Sequence, residues 1–267
     1  MPIRLRTIVF SVFALLAAAC TPGLMAQPGP RDTKIEPYTG PPVFLNEGET
    51  PPPPALVETK LQSDKYENGK PRLEREVSRY SDDSFESNGV YREYFENGQL
   101  FTEGRFTKND PVGEWVFYHE NGEVAKKVTY VDGKPDGVIE TLDPQGRVLS
   151  HGEYAVGKRK GDWVTYAPSD DESAELVKVR EEHYADGKPT GVWKTWRVDG
   201  SPAQETPFED GVLNGVATEW DEAGDKRAEI TFVAGKRDGL TRVWRADGKV
   251  VEQTFDDGRL TKQKAPE

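Results

Sequence analysis

One cysteine and three histidines in 267 residues leave little material for redox or metal chemistry. Cys20 stands alone, so no disulfide can close within the chain. His119, His151 and His183 fall at unrelated phases of the chain's 24-residue repeat, which fits surface or turn side chains better than a ligand set. No phosphate-binding glycine loop, nucleophile elbow or zinc spacing occurs. The expectation is therefore no enzyme, no metal and no cofactor. Positive charge is also scarce: 35 Lys and Arg face 47 Asp and Glu, for a formal charge of -12. Nucleic acid needs a basic face to neutralise its phosphates, and anionic lipid needs a polybasic segment, so neither is an expected partner. Apolar residues make up only 35% of the chain, too few for a thick two-layer core. Six Trp, ten Tyr and eleven Phe are nonetheless too many for a disordered one. A thin fold whose burial comes mainly from rings satisfies both facts.

Long apolar runs are absent apart from residues 8–19, which come after Arg4 and Arg6. That run is too short for a permanent span and suits the apolar part of an export signal. It ends Leu15-Leu16-Ala17-Ala18-Ala19-Cys20, which resembles a bacterial lipobox with Ala17 where leucine is usual. The reading is a signal peptide over 1–19 with lipid attached at Cys20. Cleavage near Leu24-Met25-Ala26 and plain secretion is the alternative. Residues 21–60 then hold ten of the twenty prolines, which remove backbone donors and favour extended polyproline II. Residues 20–60 read as a semi-rigid linker without a fold of its own, then a repeat domain over 61–262 and a short tail over 263–267.

The repeat shows once the chain is aligned on Gly89, Gly113, Gly137, Gly161, Gly191, Gly215 and Gly239, spaced by 24 residues except for one interval of 30. The six extra residues fall around 169–175, where "SDDESAE" reads as a solvated loop inserted in one hairpin. The fifth position after each opening glycine holds Tyr94, Tyr118, Leu142, Tyr166, Trp196, Trp220 and Trp244. The seventeenth holds Phe106, Tyr130, Tyr154, Tyr184, Phe208 and Phe232. Trp115, Trp163 and Trp193 recur at the second. Asn-Gly or Asp-Gly pairs, such as Asn121-Gly122 and Asp132-Gly133, accept the positive φ of tight hairpin turns. Each unit thus reads as two short antiparallel strands, giving fourteen strands in seven units. The fold class is all-β, an elongated single antiparallel sheet of stacked hairpins, in which a ring at the fifth position covers its counterpart in the next unit. A residue class repeated at every rung is first a packing element, so these rings are expected to form the core. The aspartates before turn glycines, such as Asp132 and Asp186, read as turn formers rather than a calcium ladder.

Units such as Gly113-Glu114-Trp115-Val116-Phe117-Tyr118, and the half-unit Tyr130-Val131-Asp132-Gly133-Lys134-Pro135-Asp136-Gly137, resemble the bacterial variant of the MORN repeat. The resemblance implies an array of hairpins acting as a scaffold or protein-binding surface. The chain departs from the more familiar MORN repeat by Gly-x-Trp or Gly-x-Tyr in place of Gly-x-Gly. Two further readings stand beside a lipid-anchored scaffold with an unnamed protein partner. One is a glycan binder at the cell wall, using exposed indoles such as Trp193 and Trp244. The other is antitoxin-like neutralisation, a label carried by some relatives and opposed here by the export signal. The expected place is the periplasmic or outer-membrane face of a bacterial envelope.

Overall fold

A computed structural model describes residues 52–169 and 175–264. Cys20, the export signal, most of the proline-rich linker and residues 170–174 of the insertion lie outside the described residues. Within them there is no helix, and one open antiparallel sheet of nineteen strands holds the chain. Strands pair in chain order, from Leu56–Lys65 with Pro71–Tyr80 through to Val250–Asp256 with Arg259–Gln263. The all-β hairpin array read from the sequence is the observed fold. Three strands flank the fourteen of the full units: Leu56–Lys65, Pro71–Tyr80 and Arg259–Gln263. Two further strands are split, as in Lys134–Pro135 and Gly137–Leu142. The first strand begins at Leu56, so the sheet starts inside the segment read as linker.

The sheet's two margins use different turns. At one margin Asp132 (φ 47°) and Gly133 (φ 75°) are both left-handed, the two-residue reversal that matches right-handed strand twist. Here each turn glycine also donates its N–H to a carbonyl of the preceding unit. Gly157 bonds Pro135 O at 2.8 Å, Gly187 bonds Arg159 O at 2.9 Å, Gly211 bonds Pro189 O at 2.9 Å and Gly235 bonds Leu213 O at 2.8 Å. Backbone therefore stitches unit to unit along this margin. At the other margin His119 N donates to Glu123 O at 2.8 Å, Gly122 N donates to His119 O at 2.9 Å, and Asn121 Oδ1 accepts from Glu123 N at 3.1 Å. Only Gly122 is left-handed in that loop, so its Asn-Gly forms a three-residue loop closed by a glycine bulge rather than a two-residue turn. Side chains make the joints at this margin: Asn121 Nδ2 donates to Pro144 O at 3.0 Å and Arg197 Nη2 to Trp220 O at 2.6 Å. The residues that bound the insertion lie at this side-chain margin, where Ser169 N donates to Glu175 O at 2.8 Å.

The glycines that mark the repeat sit inside strands. Glu103 pairs with Val116 and Arg105 with Val112, so residues 113–115 stand opposite Gly104 alone. Gly113 (φ 69°) makes this bulge, and the bulge turns Trp115 onto one face. A Cβ on Gly104 would stand 2.7 Å from Trp115 Cγ and closer still to Cδ2 and Cε2; Gly152 lies under Trp163 in the same way. The indole thus fills space that only glycine leaves free.

The rings of the second and seventeenth positions interlock on this aromatic face. Phe106 and Trp115 meet at 5.0 Å and 81°, Trp115 and Tyr130 at 6.2 Å and 72°. Tyr154 and Trp163 meet at 5.0 Å, Trp163 and Tyr184 at 6.3 Å, and Tyr184 and Trp193 at 5.2 Å, edge-on or tilted as aromatic quadrupoles prefer. Two buried clusters form along the face, one around Trp115, Val128 and Tyr130, the other around Ala217, Ala228, Ile230 and Phe232. The expected stack at the fifth position is not formed. Strand alternation places Tyr94, Tyr118, Tyr166, Trp196, Trp220 and Trp244 on the opposite face, half-buried, and no ring pair joins two of them among the described residues. Three residues separate the second from the fifth position, and an odd separation puts side chains on opposite faces of a strand.

Candidate functional site

The structure distributes the ring positions in three ways. Trp115 (6% exposed), Tyr130, Trp163 and Phe232 are buried on the aromatic face. Tyr154, Tyr184, Trp193 and Phe208 are half-buried there, with Trp193 Nε1 donating to His183 O at 3.1 Å. The fifth-position rings lie on the opposite, charged face, where Tyr94 Oη donates to Glu74 Oε2 and Tyr118 Oη to Glu103 Oε1, each at 2.9 Å. Burial chiefly, with the bonded carboxylate, raises the pKa of both phenols. Lys178 Nζ lies 4.5 Å above the Trp196 ring.

A ladder of cross-strand charge runs through the middle of the charged face. Glu74, Arg92 and Glu103 are successive register partners, as are Glu181, Lys194 and Glu205, and Glu229, Arg242 and Glu252. Arg92 lies 3.4 Å from Glu103, Lys194 3.5 Å from Glu205, and Arg242 3.4 and 3.2 Å from Glu229 and Glu252. Opposite charges facing across strands contribute roughly 0.2–1 kcal/mol each and disfavour a slipped register. Beside the ladder, nearer the backbone-stitched margin, Val192, Val212, Val216 and Val233 are 39–51% exposed. They belong to the two units that open at Gly191 and Gly215, and Val131 and Val138, 52% and 65% exposed, take equivalent places in earlier units.

The aromatic face also holds a buried carboxylate that breaks the repeat. Glu182 is only 8% exposed and occupies the place that Gly104, Val128, Gly152, Thr206 and Ile230 take in other units. Register puts it between Trp163 and the bulge carrying Trp193. Arg159 Nη1 and Arg180 Nη1 each approach its carboxylate to 3.4 Å, and Tyr184 Oη donates to Oε2 at 3.2 Å. Arg159 Nη1 also donates to Tyr184 Oη at 2.7 Å, and its guanidinium lies 4.3 Å over the Trp163 ring. Burial first, then Glu182, raises the Tyr184 pKa. Removing charges from water is costly unless they are paired, so one carboxylate shared by two guanidinium groups is the condition under which this cluster survives in an apolar row. The six-residue gap that puts Tyr184 at the seventeenth position puts Glu182 at the fifteenth, a place that holds no ring or turn glycine and so does not stand out in the repeat.

The histidines have separate local partners. His119 Nε2 lies 2.9 Å from Leu142 O, His151 tilts toward Tyr166 at 6.1 Å, and His183 Nδ1 lies 2.6 Å from Asp162 Oδ1. No three His, Cys, Asp or Glu side chains converge as a metal set among the described residues.

A sheet built by stacking one hairpin unit along its axis, with no second layer among the described residues, defines a repeat-array protein. Two of its units, residues 87–109 and 111–132, match the family described as MORN repeat variant. No curated protein matches the chain.

Proposed function

We propose that this protein is a non-enzymatic scaffold, anchored to a bacterial envelope by lipid on Cys20, that presents its sheet to a protein partner. MORN-type repeats are commonly modules that bind proteins or membranes, and two units match that family. The observation that carries the reading is the set of exposed valines Val192, Val212, Val216 and Val233 among the charges of that face, with Val131 and Val138 at equivalent places in earlier units. Exposed apolar side chains grouped among charges are a usual mark of an interaction site. The acidic balance favours a partner reached through shape and apolar contact over one reached through phosphate. Cross-linking in intact cells and subsequent capture should recover a partner with the full chain and lose it with Val192→Ser/Val216→Ser. Equal recovery by both would remove the valines from the reading. Cys20→Ser should move the protein out of the membrane fraction, and unchanged fractionation would end the lipoprotein assignment.

A cell-wall glycan is the second reading. It is favoured by Trp196, Trp220 and Trp244, which stand half-buried in line on the charged face, two strands apart and so roughly 10 Å from one to the next. Retention on insoluble peptidoglycan or chitin that disappears with Trp220→Ala would support it. Passage of the unaltered protein through both would oppose it.

A further inference from the structure

The cluster around Glu182 carries more charge than its own neutrality needs. Two arginines share a single carboxylate, leaving the cluster itself with one net positive charge in a protein whose formal charge is -12. The arginines are not sealed in: their side chains keep 25% and 28% of their exposure, against 11% for Glu182. Each guanidinium has five donors, and Nη1 carries the bonds to Glu182 on both. Arg159 spends its Nη1 on Tyr184 as well and is held flat on Trp163. Arg180 has no other side-chain bond among the described residues beyond Glu182, and it stands between Thr165 and Thr195 in register. Trp163 and Trp193 flank the group on either side along the sheet. The other full units hold no carboxylate at the place of Glu182, whereas cations recur at the arginine places, Arg237 for Arg159 and Lys126 for Arg180, so the shared counter-ion is what sets this cluster apart.

We infer that this cluster is a carboxylate-recognition site, and that the occupant is an aspartate or glutamate side chain of the protein partner. The inference rests on the scaffold reading and adds a second contact for the partner, on the face opposite the valines. Glu182 holds the two guanidinium groups in place, as a fixed counter-ion that prevents their mutual repulsion from splaying them. Arg180 offers its free edge to the incoming carboxylate in the fork geometry that arginine makes with such groups. The indoles of Trp163 and Trp193 supply apolar surface beside the charge, which lowers the local dielectric and strengthens the pair.

The probe is a fluorescently labelled hexaglutamate peptide, titrated with the full chain at low salt and monitored by anisotropy. Binding that weakens with salt, and weakens about tenfold or more in Arg180→Gln, is the expected result. Arg180→Gln leaves Glu182 paired with Arg159, and its thermal unfolding is measured alongside. Arg180→Lys should recover part of the affinity, since it restores charge without the fork. Failure of the unaltered chain to bind hexaglutamate, or equal binding by Arg180→Gln in its folded state, overturns the inference. The two proposals separate in cell capture. If Arg180→Gln retains the partner that the valine double variant loses, the carboxylate site is wrong and the scaffold stands. If the unaltered chain captures none, the scaffold reading fails, whatever hexaglutamate does.

Discussion

Gly104→Ala is a small change with a sign that decides between two pictures of the sheet. In an open strand, replacing glycine by alanine stabilises by about 0.4–1 kcal/mol, because the unfolded chain loses freedom. Here the added methyl enters the Trp115 ring, 2.7 Å from Cγ and nearer to Cδ2 and Cε2. The indole has little room to retreat. It is 6% exposed, wedged against Phe106 at 5.0 Å and Tyr91 at 5.5 Å, and its Nε1 donates to Arg105 O at 3.3 Å. Overpacking of this kind costs about 1–3 kcal/mol. For a folded region near 200 residues, that lowers Tm by roughly 2–12 °C at about 2–4 °C per kcal/mol. A second substitution tests the cause. The next unit places Val128 and Ile139 at the equivalent positions, so Gly104→Val with Trp115→Ile transplants a pair the sheet already accepts. The double variant should unfold well above Gly104→Val alone, with a coupling of about 0.5–3 kcal/mol. Circular dichroism and indole fluorescence, recorded together through a thermal ramp, give both numbers. A Gly104→Ala protein as stable as the parent, or a double variant no better than Gly104→Val, would refute the idea that ring and glycine are fitted to each other across strands.

Three further outcomes rest on individual residues. Glu182→Gln weakens the counter-ion of Arg159 and Arg180 and should cost about 1–3 kcal/mol in urea unfolding, the range for a buried polar group left unsatisfied. Val156 is a β-branched residue held at φ 48° in a two-residue turn, so Val156→Asn should stabilise by about 1 kcal/mol, seen as a higher urea midpoint. Burial raises the Glu219 carboxyl above its ordinary 4.5, against the opposing pull of Arg227 and Arg237. The folded state then binds that proton more tightly than the unfolded one, so its contribution to stability is present below 4.5 and lost as pH rises through the raised value. Glu219→Gln should therefore be more stable than the parent at pH 7 and lose that advantage by pH 4 in matched urea titrations.

The hairpin array was legible because its signals are local. Glycine spacing, Asx-Gly pairs and ring-rich strands each carry the same period, and agreement among them fixes the fold class. The face that each ring occupies was not legible in the same way. Counting from Gly113 gives Tyr118 and Trp115 as members of one motif, yet alternation sends them to opposite sides, and the bulge at Gly113 decides which side each takes. A bulge is a matter of register between strands, and register is invisible in a single period. Glu182 escaped a reading by position because the fifteenth place carries no recurring ring or glycine, and its role as the partner of two arginines comes from neighbouring strands. The charge ladder from Glu74 to Glu252 joins residues from separate strands and becomes visible only when those strands are laid side by side.

The two margins of this sheet set different terms for change in chain length. Along the one where each turn glycine bonds the carbonyl of the unit before it, an extra residue would misplace an amide from its acceptor. Only whole units can be gained or lost there without leaving a broken rung. Across the sheet, where asparagine and arginine side chains span the gap, a loop can lengthen without disturbing a backbone bond between units, and Ser169 and Glu175, which bound the added residues of the fourth unit, stand on that side. Growth by complete modules along the axis, and by local ornament at one border only, is the pattern that this bonding asymmetry permits.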